Sequence, residues 1–365
     1  MLVDRIELRL LNLPLVEPFV AAHGTMTTRE LVVVRIETDS GHGWGECSAL
    51  PEPTYSDEFA GGAFIILEDE LGPRIVGHRL TAGDVLNRLA VVGGNPMAKA
   101  ALEMALLDAE LRADGTSLAD HLGHGTTEVK AGAAVGLGSR DEVTERIADL
   151  VAEGFARVKL KIEPGHDQQV VEQIQAQVPG VEIQLDGNGS YRRDHVSLLT
   201  ELATSGVTSI EQPFAPGDET TAAVLVEASP VPIVADEAAT DLVTVDRLAR
   251  HGVLSGVSIK PPGLGGIGAA ISMHDRALGL GLALTAGGMV ESGLGRHSLA
   301  AVAGLPGFTL TGDISPAGRW LASDPWPDLS MTDGTVSVPS GPGVAPEPDY
   351  ESIDHHTIRQ AIIKA

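Results

Sequence analysis

FARVKLK (155–161), VEIQLD (181–186), VTSIE (207–211), VPIVAD (231–236) and GVSIK (256–260) are five apolar runs, each ending in an ionisable residue. Lys161, Asp186, Glu211, Asp236 and Lys260 are spaced 25, 25, 25 and 24 residues apart. A polar loop follows each run, and a helix-length segment follows four of them. One charged group per strand–helix unit, always at the C-terminal end of the strand, is where a parallel β/α barrel places its active-site groups. A strand end can carry a charge simply because the chain leaves the core there. Five in register, ordered base–acid–acid–acid–base, are more than that rule supplies.

Outward from this ladder, Val129–Leu137 reads as a strand and Arg140–Glu153 as a helix with Ser139 as its N-cap. Strands and helices then alternate to about residue 320, which means a parallel sheet; seven or eight units in roughly 200 residues fit a barrel better than an open sheet. No GxGxxG follows an early strand and no GxxxxGK[ST] occurs, while Gly263-Leu264-Gly265-Gly266 is a weak anion-site signal.

The N-terminal region has a different texture. Residues 2–11 alternate, Leu31–Thr38 is β-branched, Asp39-Ser40-Gly41 signals a turn and Gly43–Cys47 returns. The intervening segment 17–29, around His23-Gly24-Thr25, reads as a loop and a candidate lid. Helical periodicity runs from about Asp57 to Leu122, clearest at Pro96–Ala113. The expected organisation is an α+β unit over 1–125, a barrel over 126–322, and a Pro- and Gly-rich tail over 323–365, with a short strand at Thr335–Val338, that packs back on the N-terminal unit.

The net charge of −25, from 25 basic and 50 acidic residues, argues against nucleic acid and anionic membranes as partners. The single cysteine, Cys47, permits no internal disulfide and reads as a small buried apolar residue; with the charged segment MLVDRIELRL in place of a signal-like apolar core, a cytoplasmic location is expected.

Adjacent strands lie ~4.8 Å apart, so Asp186, Glu211 and Asp236 on three consecutive strand tips should converge. Mutual repulsion then favours a divalent cation, and all-oxygen ligation favours Mg²⁺, with Mn²⁺ possible, over Zn²⁺. Lys159 and Lys161, two apart on one strand, face the same way; side by side and near a divalent cation they should lower each other's pKa, which suits a base near neutrality. Lys260 approaches from the opposite side. A metal between lysines suits abstraction of the proton α to a carboxylate, with the enediolate stabilised by the metal.

The set Lys159-Leu160-Lys161, Asp186-Gly187-Asn188, Glu211-Gln212-Pro213, Asp236-Glu237 and Ile259-Lys260-Pro261 resembles the enolase superfamily in its muconate-lactonising-like subgroup. GWGECSALPEPTYSDE, MAKAALEMALLDAELRA, RVKLKIEPG, GGMVESGLGR and LPGFTLTGDIS are similar to the o-succinylbenzoate synthase/N-acylamino acid racemase family, over nearly the whole chain. The resemblance implies an α/β fold, a modified TIM barrel (β/α)7β with an α+β capping domain built from the N-terminal region and the tail. It implies Asp186, Glu211 and Asp236 as Mg²⁺ ligands, Lys161 as the base, Lys159 as its tuner and Lys260 as electrostatic stabiliser or, in racemisation, proton donor to the opposite face. Asn188 would support the metal, Gly288, Met289, Val290 and Tyr55 would line the substrate, and Glu291 would be structural. The implied activity is dehydration of a cyclohexadiene carboxylate to o-succinylbenzoate, a step in menaquinone synthesis. Racemisation of N-acylamino acids and muconate cycloisomerisation are alternatives on the same site, and a non-catalytic carboxylate-binding barrel is an alternative of another class. Gly263 stands where racemase-competent members often carry arginine, which favours the synthase. Of the histidines only His23 and His297 merit attention, with packing roles expected. The implied partner is a small carboxylate, and the resemblance implies a homo-oligomer, dimer or octamer.

Overall fold

A computed structural model describes residues 1–21 and 24–365. The chain opens with an antiparallel sheet of β1 (Val3–Ala21), β2 (Gly24–Thr38) and β3 (Gly41–Cys47). Ile6, Leu8 and Leu10 alternate inward, then Leu11 and Leu13 take over beyond a register shift at Leu10/Leu11. The loop reading of 17–29 is corrected here: most of it is strand, with Phe19, Val20 and Ala21 paired to Met26, Thr25 and Gly24. The β-branched run of β2 continues backward through Thr27 and Thr28, so a long hairpin replaces the loop. His23 lies outside the described residues.

The helix Pro96–Asp114 lies on β3. Its close approach is set by Gly43 and Gly45, where a Cβ would stand 2.2 Å from Ala105 O and 2.0 Å from Ala101 O. Asp108 on this helix is fully buried and accepts from Trp44 N (2.9 Å), Val344 N (2.6 Å) and Arg112 Nε (2.7 Å), joining sheet, helix and tail.

The expected strand 129–137 is divided. β4 (Glu128–Lys130) turns away to pair with the tail, and β5 (Gly132–Val135) begins the second sheet. There β5, β6 (Arg157–Lys161), β7 (Glu182–Asp186), β8 (Ser209–Glu211), β9 (Ile233–Ala235), β10 (Gly256–Ile259) and β11 (Ala283–Ala286) are parallel and in sequence order. The curl is closed by segment 310–314: Leu310 N and Asp313 N donate to Leu284 O and Ala286 O of β11, and Gly132 N of β5 donates to Ile314 O. Helices cover the outside. Ser139 caps Arg140–Ala152 in a capping box with Glu142, and Asp167, Asp218 and Asp241 cap three later helices.

In the tail, β12 (Met331–Thr332) and β13 (Thr335–Ser337) join β4, and β14 (Thr357–Lys364) pairs antiparallel with β1. The tail thus returns to the N-terminal sheet. Among the described residues no helix is long and apolar enough to cross a membrane.

Candidate active site

Parallel register builds the site. Lys161 is the cross-strand partner of Asp186, and Asp186 of Glu211. Asp236 and Lys260 each follow the last residue of β9 and β10. The five ladder residues therefore form a row along one end of the sheet, and Lys159, two residues behind Lys161, lies beneath it with 3% exposure. Three residues at this rim hold left-handed backbone: Asn188 (φ 39°), Gln212 (φ 35°) and Val290 (φ 54°). Strain of this kind is retained only where surrounding structure enforces it, above all for a β-branched valine. Gln212 shows how: its side-chain oxygen accepts from Asp236 N and Ala238 N, both at 3.0 Å, and its Nε2 donates to Phe214 O at 2.7 Å, tying the end of β9 to β8.

Each lysine holds carboxylates. Lys161 Nζ donates to Asp186 Oδ2 and Asn188 Oδ1, both at 2.7 Å. Lys260 Nζ donates to Asp236 Oδ2 at 2.6 Å and to the Tyr55 hydroxyl at 2.8 Å, and that hydroxyl donates to Asp236 at 3.1 Å. Lys159 Nζ lies 2.5 Å from Asp313, 2.8 Å from Glu211 and 3.6 Å from Asp186. Asn188 Nδ2 donates to Glu237 at 2.9 Å, and Asp313 is also paired with Arg157 at 2.7 Å.

These contacts set the charge balance at Lys159 and Lys260. Burial pulls Lys159 down, but Asp313, Glu211 and Asp186 outweigh it and hold its pKa above the ordinary lysine value. Lys260 is likewise held well above it: burial opposes, and Asp236 leads the groups that prevail. Among the acids, burial drives Glu211 up to about 7 against the pull of Lys159, with Asp186, Asp236 and Asp313 adding to the rise, and burial drives Glu237 up to about 7 with Asp236 and Asp186 adding to it. Burial also pushes Asp186 up, but Lys161 and Lys159 bring it below its usual value.

Among the described residues no group of three or more His, Cys, Asp or Glu stands gathered as a metal cage, because the ammonium groups occupy the spaces between carboxylates. The donor set nevertheless fits a hard dication. Asp186, Glu211, Asp236, Glu237 and Asp313 outnumber the three lysines, Arg157 is spent on Asp313, and Glu237 Oε2 is buried with no hydrogen-bond partner. The all-oxygen set favours Mg²⁺ or Mn²⁺ over Zn²⁺.

One cavity opens over the row. Lys159, Lys161, Asp186, Asp236, Lys260, Asn188, Tyr55, Gly288, Met289 and Val290 all line it, so sequence reasoning placed most of its wall; Glu211 lies beneath. Arg29, fully buried at the end of the supposed lid, fixes the 288–290 segment by donating to Val290 O (2.9 Å) and Met289 O (3.3 Å) while holding Ser48 O and Ala49 O. Glu291 has the structural role expected: it accepts from Met289 N at 2.7 Å and pairs with Arg296 at 3.2 Å. His297 Nδ1 donates within its own helix to Gly293 O at 2.6 Å, and burial lowers its pKa. Cys47 is buried, which pushes its thiol up. The glycine-rich 263–266 segment serves an internal anion: Glu103 accepts from Ile267 N (3.1 Å) and Gly268 N (2.9 Å).

Sequence reasoning missed Asp313, Arg157, Glu237, Arg296 and Arg319. The signal for Asp313 was the same beat: Lys260 to Ala286, the end of β11, is 26 residues, and Ala286 to Asp313 is 27.

Two family descriptions match the chain: "Enolase C-terminal domain-like" over residues 142–353 and "Mandelate racemase / muconate lactonizing enzyme, N-terminal domain" over residues 5–123. The chain belongs to the enolase superfamily, in its muconate-lactonising subgroup. It is 37% identical to an N-succinylamino acid racemase of Amycolatopsis sp, over 98% of both chains, and 34% identical to an o-succinylbenzoate synthase of Bacillus subtilis (strain 168), over 94% of both. A solved enolase-superfamily structure from Listeria innocua superposes with a TM-score of 0.95 at 29% identity, covering 100% of this chain and 99% of that one. These relatives are lyases and isomerases, and this enolase-superfamily chain is an enzyme.

Proposed function

We propose that this enzyme removes the proton α to a substrate carboxylate and that its reaction is the dehydration that yields o-succinylbenzoate. The observation that carries the reading is the placement of Lys161 and Lys260 at opposite ends of the acidic row, each within 2.7 Å of a terminal carboxylate and both facing one cavity.

Asp186, Glu211 and Asp236 are the residues that would hold Mg²⁺, or Mn²⁺, when it is bound. A divalent cation there would supply positive charge for the substrate carboxylate and the charge that develops on it. Lys161, acting as the neutral amine, takes the α-proton and becomes the ammonium. Lys161 returns that proton to the departing β-hydroxyl, so the step releases one water and leaves the new double bond. Lys260, held by Asp236 and the Tyr55 hydroxyl, stays protonated and faces the growing negative charge. Lys159 keeps its ammonium under Glu211 and Asp313 and positions the row from below. Gly288, Met289 and Val290 bound the far part of the substrate.

The purified protein with Mg²⁺ and the cyclohexadiene carboxylate is expected to form o-succinylbenzoate, followed by its ultraviolet absorbance. A second reading, racemisation of N-succinylamino acids, is favoured by the 37% identical racemase and by a lysine on each side of the row. Gly263, at which a Cβ would meet nothing within 4 Å, leaves the arginine associated with that activity absent. Exchange of the α-proton of N-succinylamino acids in D₂O, with no o-succinylbenzoate formed, would select the second reading. Neither product nor exchange would refute both.

A further inference from the structure

The wall of the active-site cavity carries a cation with which no carboxylate among the described residues forms an ion pair. Arg319 closes the short turn Ala317–Arg319 beyond the barrel-closing segment and lines the cavity. Its Nη2 donates to Ala134 O at 2.8 Å. Its Nε and Nη1 are buried without a hydrogen-bond partner. Among the described residues no carboxylate lies within ion-pair distance of the guanidinium, which lies over the Trp320 ring, 4.2 Å from its centroid. Asp313, an acid of the same cavity wall, is already shared by Lys159 and Arg157. Burial, then the neighbouring cations Arg146 and Arg296, pull Arg319 down to about 9 against the weaker opposing pull of Glu153 and Glu17, which stand beyond ion-pair distance, so it remains charged at neutral pH. An unpaired buried cation is costly to keep. In a protein of net charge −25 it is the unusual feature of the site.

Position says what the cation is for. Ala134 on β5 is the cross-strand partner of Lys159 on β6, and Asp186 lies one strand further. With strands ~4.8 Å apart, the guanidinium stands on the order of 10 Å from the acidic row, on the side of Lys161 and away from Lys260. A ligand with its reacting carboxylate on the row would turn its other end toward Arg319.

We propose that Arg319 receives a second carboxylate of the substrate, so that the enzyme is selective for acids bearing a free carboxylate on a flexible arm. This rests on the acidic row being the place where a divalent cation would hold the reacting carboxylate, as in the proposed function, and the succinyl arm of o-succinylbenzoate has the required chemistry. Trp320 packs against the guanidinium, and the buried setting strengthens its hydrogen bonds to an anion.

The test compares o-succinylbenzoate with 2-butyrylbenzoate, which has a methyl group in place of the terminal carboxylate, by calorimetric titration in Mg²⁺. Wild type is expected to bind the former about 30-fold more tightly, the scale of charge-assisted hydrogen bonds. Arg319→Met should bring that ratio to within about threefold of unity, and Arg319→Lys should restore part of it, because a charge without the fork is retained. A wild-type ratio near one, no binding of o-succinylbenzoate, or an Arg319→Met loss that is equal for both ligands would overturn the assignment. Binding reads independently of turnover. A ratio that collapses in Arg319→Met while wild type dehydrates nothing and exchanges no proton upholds Arg319 and removes the proposed reaction. Turnover with an unchanged ratio does the reverse.

Discussion

Asp313→Asn isolates the residue that anchors the site from below. The substitution keeps the shape and removes the charge facing Lys159 at 2.5 Å and Arg157 at 2.7 Å. Hydrogen bonds to charged groups contribute about 1.5–3 kcal/mol each, so the two together represent roughly 3–6 kcal/mol. Asparagine still accepts a neutral hydrogen bond of about 1 kcal/mol, and the cations keep other partners: Glu211 for Lys159, Gln184 and Gly312 O for Arg157. The net loss should be about 2–4 kcal/mol. The assay is urea unfolding of metal-free protein, wild type against variant, from pH 8 to pH 3. Burial opposes the ionised form of Asp313, but Lys159 and Arg157 bring its pKa below the ordinary value. A depressed carboxyl stabilises the folded state above its unfolded pKa, near 4, and that contribution is lost as pH falls toward the folded value. The gap between the two proteins should therefore be level from about pH 8 to 5 and shrink below about pH 4. A gap under about 1 kcal/mol at neutrality, or one that widens on acidification, would refute the reasoning.

Three other outcomes are expected. Lys161→Ala should slow α-proton exchange in D₂O by at least about 100-fold, the usual contribution of a general base, and exchange at the wild-type rate would assign the base elsewhere. Gly45→Ala should destabilise by about 3 kcal/mol in thermal unfolding, because its Cβ would meet two backbone atoms, Ala101 O at 2.0 Å and Ala105 N at 2.7 Å; an unchanged midpoint would mean the helix is free to move. Burial raises Glu103 to about 7 against its backbone donors Gly268 and Ile267, so the folded state binds this proton more tightly than the unfolded state. The stability from it is present below about pH 4.5 and lost as pH rises through 7, and relative to Glu103→Gln wild type should lose about 3 kcal/mol over that window. Parallel stability curves for the two proteins would disprove the shift.

The family to which the chain belongs was legible in residues close together along it. Lys159-Leu160-Lys161, Glu211-Gln212-Pro213 and the 25-residue beat record local rules: a strand needs an apolar run, its end meets solvent, and each strand–helix unit has nearly constant length. The same rules led to error where a segment's partner is distant. Segment 17–29 is polar enough to read as a loop, yet it is hairpin because each strand supplies the other's hydrogen bonds. The run 129–137 reads as one strand, yet it splits because β4 pairs with the tail some 200 residues later.

Sequence alone determined which groups stand at the strand ends and their order around the barrel, because parallel register carries a periodic pattern directly into a row. Only the tertiary structure decided their ionisation and what surrounds them. Closing the barrel brings Asp313 to Lys159 and Arg157 across about 155 residues of chain, and sets Arg319 at Ala134 O without a carboxylate. Charges interact through space, so their pairing follows from the closed fold and from no local pattern.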